Sequence, residues 1–313
     1  MKSGIAGKQH PVIFAILLFV AAQVITIAIA SQEISFLQTN NIYMPTQPEQ
    51  PVSVWPGPAT SPSGEVTHTP AYSSLGPIVI YFFAVTAGVA ILLTRIPVSA
   101  LGLALRILFA FLFGWGAFIA CIFWMPVAAA IGIAAGIAVL WFMVPRVWFH
   151  NLAMLLPLGS MGAVFGHFIN PWTAMAIMGA LAIYDFLAVR FGFMLWMTGK
   201  LSKAGVIPAF VIPKNASQWG ANLRQGTIAR VVEQKPAERS YSLLGGGDIA
   251  FPCLLTASVY FARDLTTASI IAAFTLGGLM LAYLFQSIVF KGKAVPALPP
   301  IAAMALAGLL IIY

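Results

Sequence analysis

Two aspartates stand in surroundings that disfavour them: Asp185 within Ala182-Ile-Tyr-Asp-Phe-Leu-Ala188, and Asp248 within Leu243-Leu-Gly-Gly-Gly-Asp-Ile-Ala-Phe-Pro252. Both stretches are otherwise apolar, and an ionisable side chain inside lipid costs at least about 2.5–3.5 kcal/mol on insertion scales. Such a residue either bonds a polar group on a neighbouring helix or performs chemistry. Two carboxyl groups that can meet have a well-known use: they share a proton, one acting as base on a water and the other as acid on a carbonyl oxygen. That is peptide-bond hydrolysis of the aspartic type, and it requires neither a metal nor a cofactor.

The flanking residues suit this chemistry. Gly245-Gly246-Gly247 removes side chains from the turn before Asp248, so another backbone can approach closely. Gly245 and Gly247 are therefore candidates for shaping a site. Pro252 cannot donate to the carbonyl of Asp248, which weakens the helix where a substrate carbonyl would need access. Further on, Pro296-Ala297-Leu298-Pro299-Pro300 leaves carbonyls unpaired and fixes an extended entry to the last apolar run. Close helix packing explains the glycines equally well, and an ordinary helix start explains the prolines. Position is what favours the functional reading.

The elements that set those positions are membrane helices. Of 313 residues only 8% are charged and 60% are apolar, against about 25% charged in an ordinary soluble chain. A water-soluble globular domain, a disordered chain and a disulfide scaffold are all excluded, since Cys121 and Cys253 both lie in apolar runs. A bilayer-crossing helix needs about 20 apolar residues. Nine runs qualify: 11–30, 75–94, 101–122, 126–144, 151–169, 171–190, 243–261, 268–290 and 296–313. The expected fold class is an all-α polytopic membrane protein. The first run resembles a secretory signal, but it exceeds the usual 7–15-residue apolar core, so a retained helix is expected.

Charge orients the spans. With the N-terminus cytoplasmic, 15 of the 16 Lys and Arg residues fall inside and only Arg263 falls outside. The positive-inside rule therefore selects N-in and C-out in the cell membrane. The net charge of +8 serves topology, not nucleic-acid binding. Residues 31–74, rich in Pro, Ser, Thr and Gln, form an outer loop; Phe191–Met197 suggests an interfacial helix continuing the sixth span. The chain divides into a six-helix part (1–199) with Asp185, a basic and flexible inner loop (200–242), and a three-helix part (243–313) with Asp248. In this arrangement Asp185 lies late in the sixth span and Asp248 about six residues into the seventh. Both sit in the inner half of the bilayer, at the depth where Pro296-Ala297-Leu298 begins the ninth.

Tyr184-Asp185, Gly245-Gly246-Gly247-Asp248 and Pro296-Ala297-Leu298 resemble the three signatures of the presenilin and signal peptide peptidase proteins, written YD, GxGD and PAL. In that family they lie on the sixth, seventh and ninth of nine helices. The compact chain and modest sixth-to-seventh loop resemble the archaeal presenilin homologues more than the animal proteins. The resemblance implies an intramembrane aspartyl protease that cleaves transmembrane helices of substrate proteins. Asp185 and Asp248 would be catalytic, Tyr184, Gly245 and Gly247 would shape the site, and Pro296, Ala297 and Leu298 would engage substrate. Signal peptide peptidases are inverted in the membrane, so the charge count suggests the presenilin-like orientation. The long loop with the autocleavage site of animal presenilins has no recognisable counterpart.

Other readings are weaker. His10, His68, His150 and His167 lack zinc-ligand spacing. Ser160 and His167 share one span and could imitate a serine dyad, although Gly159-Ser-Met-Gly162 reads more simply as small-residue packing. Prepilin-type peptidases share the Gly-x-Gly-Asp motif but lack a Pro-Ala-Leu ninth helix. An ion-coupled transporter or channel would use the two aspartates as carriers of protons or cations.

Overall fold

A computed structural model describes residues 6–40, 58–60, 66–68, 75–95, 97–223, 240–288 and 295–313. The chain runs through α1 (Ala6–Thr39), a small hairpin β1 (Pro58–Thr60) and β2 (Val66–His68), α2 (Leu75–Arg95), α3 (Val98–Ile122), α4 (Val127–Met143), α5 (Val147–Phe168) and α6 (Pro171–Arg190). It continues through α7 (Phe193–Lys203), β3 (Ala209–Pro213), a 3-10 turn at Ala216–Gly220, β4 (Tyr241–Gly245), α8 (Gly247–Ala262), α9 (Leu265–Ile288) and α10 (Leu298–Ile312). Five of the described helices (α1, α3, α5, α6 and α9) are long and apolar enough to cross a membrane. The shorter apolar helices α4, α8 and α10 have 17, 16 and 15 residues.

α5 is the central helix, packed by α1, α3 and α8. Lipid is as apolar as leucine, so such contacts depend on close van der Waals fit, which small residues allow. A methyl group on Gly162 would approach Cys253 Cβ to 2.8 Å, and one on Gly166 would approach Ala257 Cβ to 2.4 Å. Ser160 is buried here and donates to the Gly116 carbonyl at 2.8 Å. His167 instead meets Glu33 of α1, Nδ1 to Oε1, at 2.6 Å. The serine-dyad alternative is thereby removed: the two side chains hold different helices.

Three differences from the sequence expectation bear on how the site is positioned. α1 extends to Thr39, past the expected end at 30, because Glu33 finds a partner on α5 and Phe36 an edge contact with Phe123. α7 is separate from α6, divided by Gly192 at φ +74°, a left-handed turn that favours glycine. The seventh span is shorter than 243–261: Leu243 and Leu244 belong to β4, and α8 begins only at Gly247. β3 and β4 are antiparallel, with Ala209 opposite Gly245 and Pro213 opposite Tyr241. All five β3 residues are buried, so 200–242 includes packed structure as well as the segment 224–239 that lies outside the described residues.

Candidate active site

Asp185 occupies the last third of α6 and Asp248 the second position of α8. α6, α8 and α10 share one apolar cluster, in which Ile177, Met178 and Leu181 meet Leu254, Leu255 and Leu298. This packing brings the two carboxylates within electrostatic reach of each other. Asp248 therefore lies in the first turn of its helix, not six residues inside it. Residues 243–246 continue the apolar run in sequence, but 243–245 end β4 and Gly246 is the N-cap of α8.

Each carboxylate receives a backbone N–H. Asp185 accepts from Leu298, the first residue of α10. The first turn of any helix has N–H groups without intrahelical partners. Here Pro299 and Pro300 have none to offer, and Ile301 donates to the Ala297 carbonyl at 3.4 Å. Leu298 therefore supplies the free donor of that turn, at the positive end of the helix dipole. Asp248 accepts from Gly245, three residues earlier.

A strap holds Gly245 in place. Asn151 of α5 pairs with β3 through both amide groups, donating to the Val211 carbonyl at 2.8 Å and accepting from Val211 N–H at 2.9 Å. His150 Nε2 contacts the Ala209 carbonyl at 3.1 Å. β3 then pairs with β4, and Gly246 N–H donates to the Pro208 carbonyl at 3.1 Å.

The glycines divide by the space around them. A Cβ on Gly245 would lie 3.0 Å from Asp248 Oδ2, and one on Gly246 would lie 2.8 Å from Met154 Cε. At Gly247 the nearest atom would be 3.5 Å away, an ordinary contact. Tyr184 is half-buried beside Asp185, and Ala297 lies in helical conformation just before Leu298. Pro296 precedes it outside the helix, so the proline-rich segment enters α10 at Leu298 and is partly helical, not wholly extended.

Sequence reasoning missed Tyr283. This α9 residue packs against the cluster containing Ile249, Leu279 and Ile301, and it lies within electrostatic reach of Asp248. No motif marks it. Its only sequence signal is a tyrosine near the end of an apolar run that returns to the depth of the aspartates.

Residues 70–313 match the family model described as signal-peptide peptidase, presenilin aspartyl protease. Two solved structures are similar in fold. A presenilin family intramembrane aspartate protease in a C222 crystal form shares 18% identity at a TM-score of 0.55, covering 96% of this chain and 98% of the other. A presenilin family intramembrane aspartate protease in a P2 form shares 17% identity at a TM-score of 0.54, with 99% and 97% covered. No curated protein sequence gives a significant match. The family match favours proteolysis over ion-coupled transport: the chain belongs to the signal-peptide peptidase, presenilin aspartyl protease family, and it is an intramembrane aspartyl protease.

Proposed function

We propose that Asp185 and Asp248 are the catalytic dyad, and that they hydrolyse peptide bonds within transmembrane segments of membrane proteins. The observation that carries this reading is the approach of two carboxylates from α6 and α8, with the Leu298 N–H of α10 on one of them. One ionised carboxylate deprotonates a water while the other, protonated, polarises the scissile carbonyl. The resulting tetrahedral diol collapses as a proton passes to the leaving amine. The pair titrates as a unit, so the shared proton belongs to both. A substrate helix must unwind locally first, because its carbonyls are otherwise bonded within the helix.

Tyr184, Gly245 and Gly247 shape the site in this reading, and Pro296, Ala297 and Leu298 engage substrate. The chain crosses the cell membrane nine times with its N-terminus inside, an orientation supported by the 15-to-1 division of basic residues. Substrates then have their N-termini outside. The test is purified protein with a fluorogenic transmembrane peptide, comparing wild type with Asp185→Ala and Asp248→Ala. Cleavage by the wild type alone is expected, and equal cleavage by all three would end the assignment.

A further inference from the structure

Arg106 lies in α3, eight residues from its start, or about 12 Å along the helix axis. A guanidinium inside a membrane span is costly and normally has a partner. Among the described residues the ion pair found is Glu33 with His167, so Arg106 takes no carboxylate there. Instead it lines a cavity of about 490 Å³ with Trp141, Phe142, His150, Val206 and Ile207. That volume suits a small-molecule site, which typically spans about 300–1,000 Å³. His150 serves as wall more than ligand, since its Nε2 is committed to the Ala209 carbonyl and its ring stands edge-on to Phe113.

The surroundings specify the occupant. Beside the cavity, α3 and α4 expose Leu103, Ile107, Phe142 and Met143, an apolar surface of the kind acyl chains cover. α7 ends in Lys200 and Lys203, just before Gly205, which also lines the cavity. A half-buried cation in the wall, an aromatic lining and an adjoining apolar face match an anion that carries hydrocarbon. Guanidinium and phosphate pair bidentately, so the charged end is well matched. On the orientation proposed above, this end of the bundle meets the cytoplasmic leaflet, where anionic lipids concentrate.

We propose that this cavity binds the phosphate head of an anionic phospholipid through Arg106, with the acyl chains lying over α3 and α4. Occupancy braces the segment 205–211, which reaches the site directly: Pro208 accepts from Gly246, two residues before Asp248. Binding stands independently of the catalytic assignment, whereas the effect on cleavage rests on it. The two are therefore read separately.

The experiment places the full chain in nanodiscs containing phosphatidylcholine and phosphatidylglycerol, and measures co-purifying lipid by native mass spectrometry. Wild type is expected to retain phosphatidylglycerol in preference by about tenfold, a difference of about 1.4 kcal/mol. Arg106→Gln is expected to lose that preference, while Lys214→Gln, an equal charge change elsewhere, keeps it. Excess inorganic phosphate should not displace the lipid; displacement would make this a soluble-anion site and overturn the proposal. An absence of preference in the wild type also overturns it, without need of any variant. Peptide cleavage in the same nanodiscs is expected to rise with phosphatidylglycerol in the wild type and to stay flat in Arg106→Gln.

Discussion

Asp185 and Asp248 reach the same place by different routes. Asp185 sits deep in α6, and its N–H donor comes from the start of α10, at the other end of the chain. Its setting depends on three helices packing correctly. Asp248 is at the start of α8, and its donor is Gly245, a few residues earlier, held by the strap through β3. Its donor is local in sequence, while the strap that holds that donor reaches back to Asn151 of α5. One carboxylate thus takes its donor from across the fold and the other from its own neighbourhood in the chain, and damage to each should spread differently.

The largest effect tests whether both halves are equally necessary. Asp185→Asn and Asp248→Asn each preserve shape and remove the acid–base function. Each is expected to lower cleavage by about 10²–10⁴-fold or more, with thermal unfolding little changed. Substantial activity in either variant would reduce the site to one carboxylate and end the comparison.

The next effect separates the routes. A Cβ at Gly278 of α9 would lie 2.5 Å from Ile301 Cα and 2.8 Å from the Pro300 carbonyl oxygen, both backbone atoms of α10. Backbone atoms can yield only if the helix itself shifts, so Gly278→Val should displace α10 and carry the Leu298 N–H away from Asp185. Loss of a hydrogen bond to a charged group is worth about 1.5–3 kcal/mol, or roughly 10–100-fold in kcat. Overpacking should also lower stability by about 1–3 kcal/mol in reversible unfolding. A lowered Tm with unchanged kcat would show that Asp185 does not depend on α10.

A smaller change is expected on the local route. At Gly246 a Cβ would meet Met154 Cε at 2.8 Å and the Pro208 carbonyl oxygen at 3.3 Å. The nearer atom is the end of a flexible side chain, so Gly246→Ala should cost only severalfold in kcat. Met154→Leu removes that methyl at nearly constant volume and should restore most of the loss. Failure of the rescue would place the obstruction at Pro208, and with it the strap.

These two routes also explain what the sequence could reveal. The dyad was legible because acids are rare in apolar runs and because glycines and prolines accompany them. The position of Asp248 within its helix is less legible, since an apolar run such as Leu243-Leu244 does not distinguish a strand from a helix. β3 is hidden by the basic residues around it, although Ala209-Phe-Val-Ile-Pro213 is apolar throughout. The Leu298 donor was not legible as such: a free N–H depends on where a helix starts and where that start is aimed. Tyr283 is of the same kind, placed by packing and marked by no pattern.

The third aspartate supplies the control, and the smallest expected effect. Asp264 also stands at a helix start, but in water, ahead of α9. Thr267 N–H donates to it at 2.8 Å. That backbone bond is the largest influence and desolvation, which opposes it, the next; with the Thr267 hydroxyl, the Thr266 backbone and the charge of Arg263 added, the carboxyl is held below the usual range. A lowered folded-state pKa contributes stability above the unfolded value and loses it as pH falls through the folded one. Asp264→Asn keeps a capping side chain but cannot titrate. Its difference in Tm from the wild type should therefore shrink on acidification, and peptide cleavage at neutral pH should be unchanged. Cleavage that fell with Asp264→Asn would mean that position at a helix start, rather than approach to a second carboxylate, is what this chain requires of its aspartates.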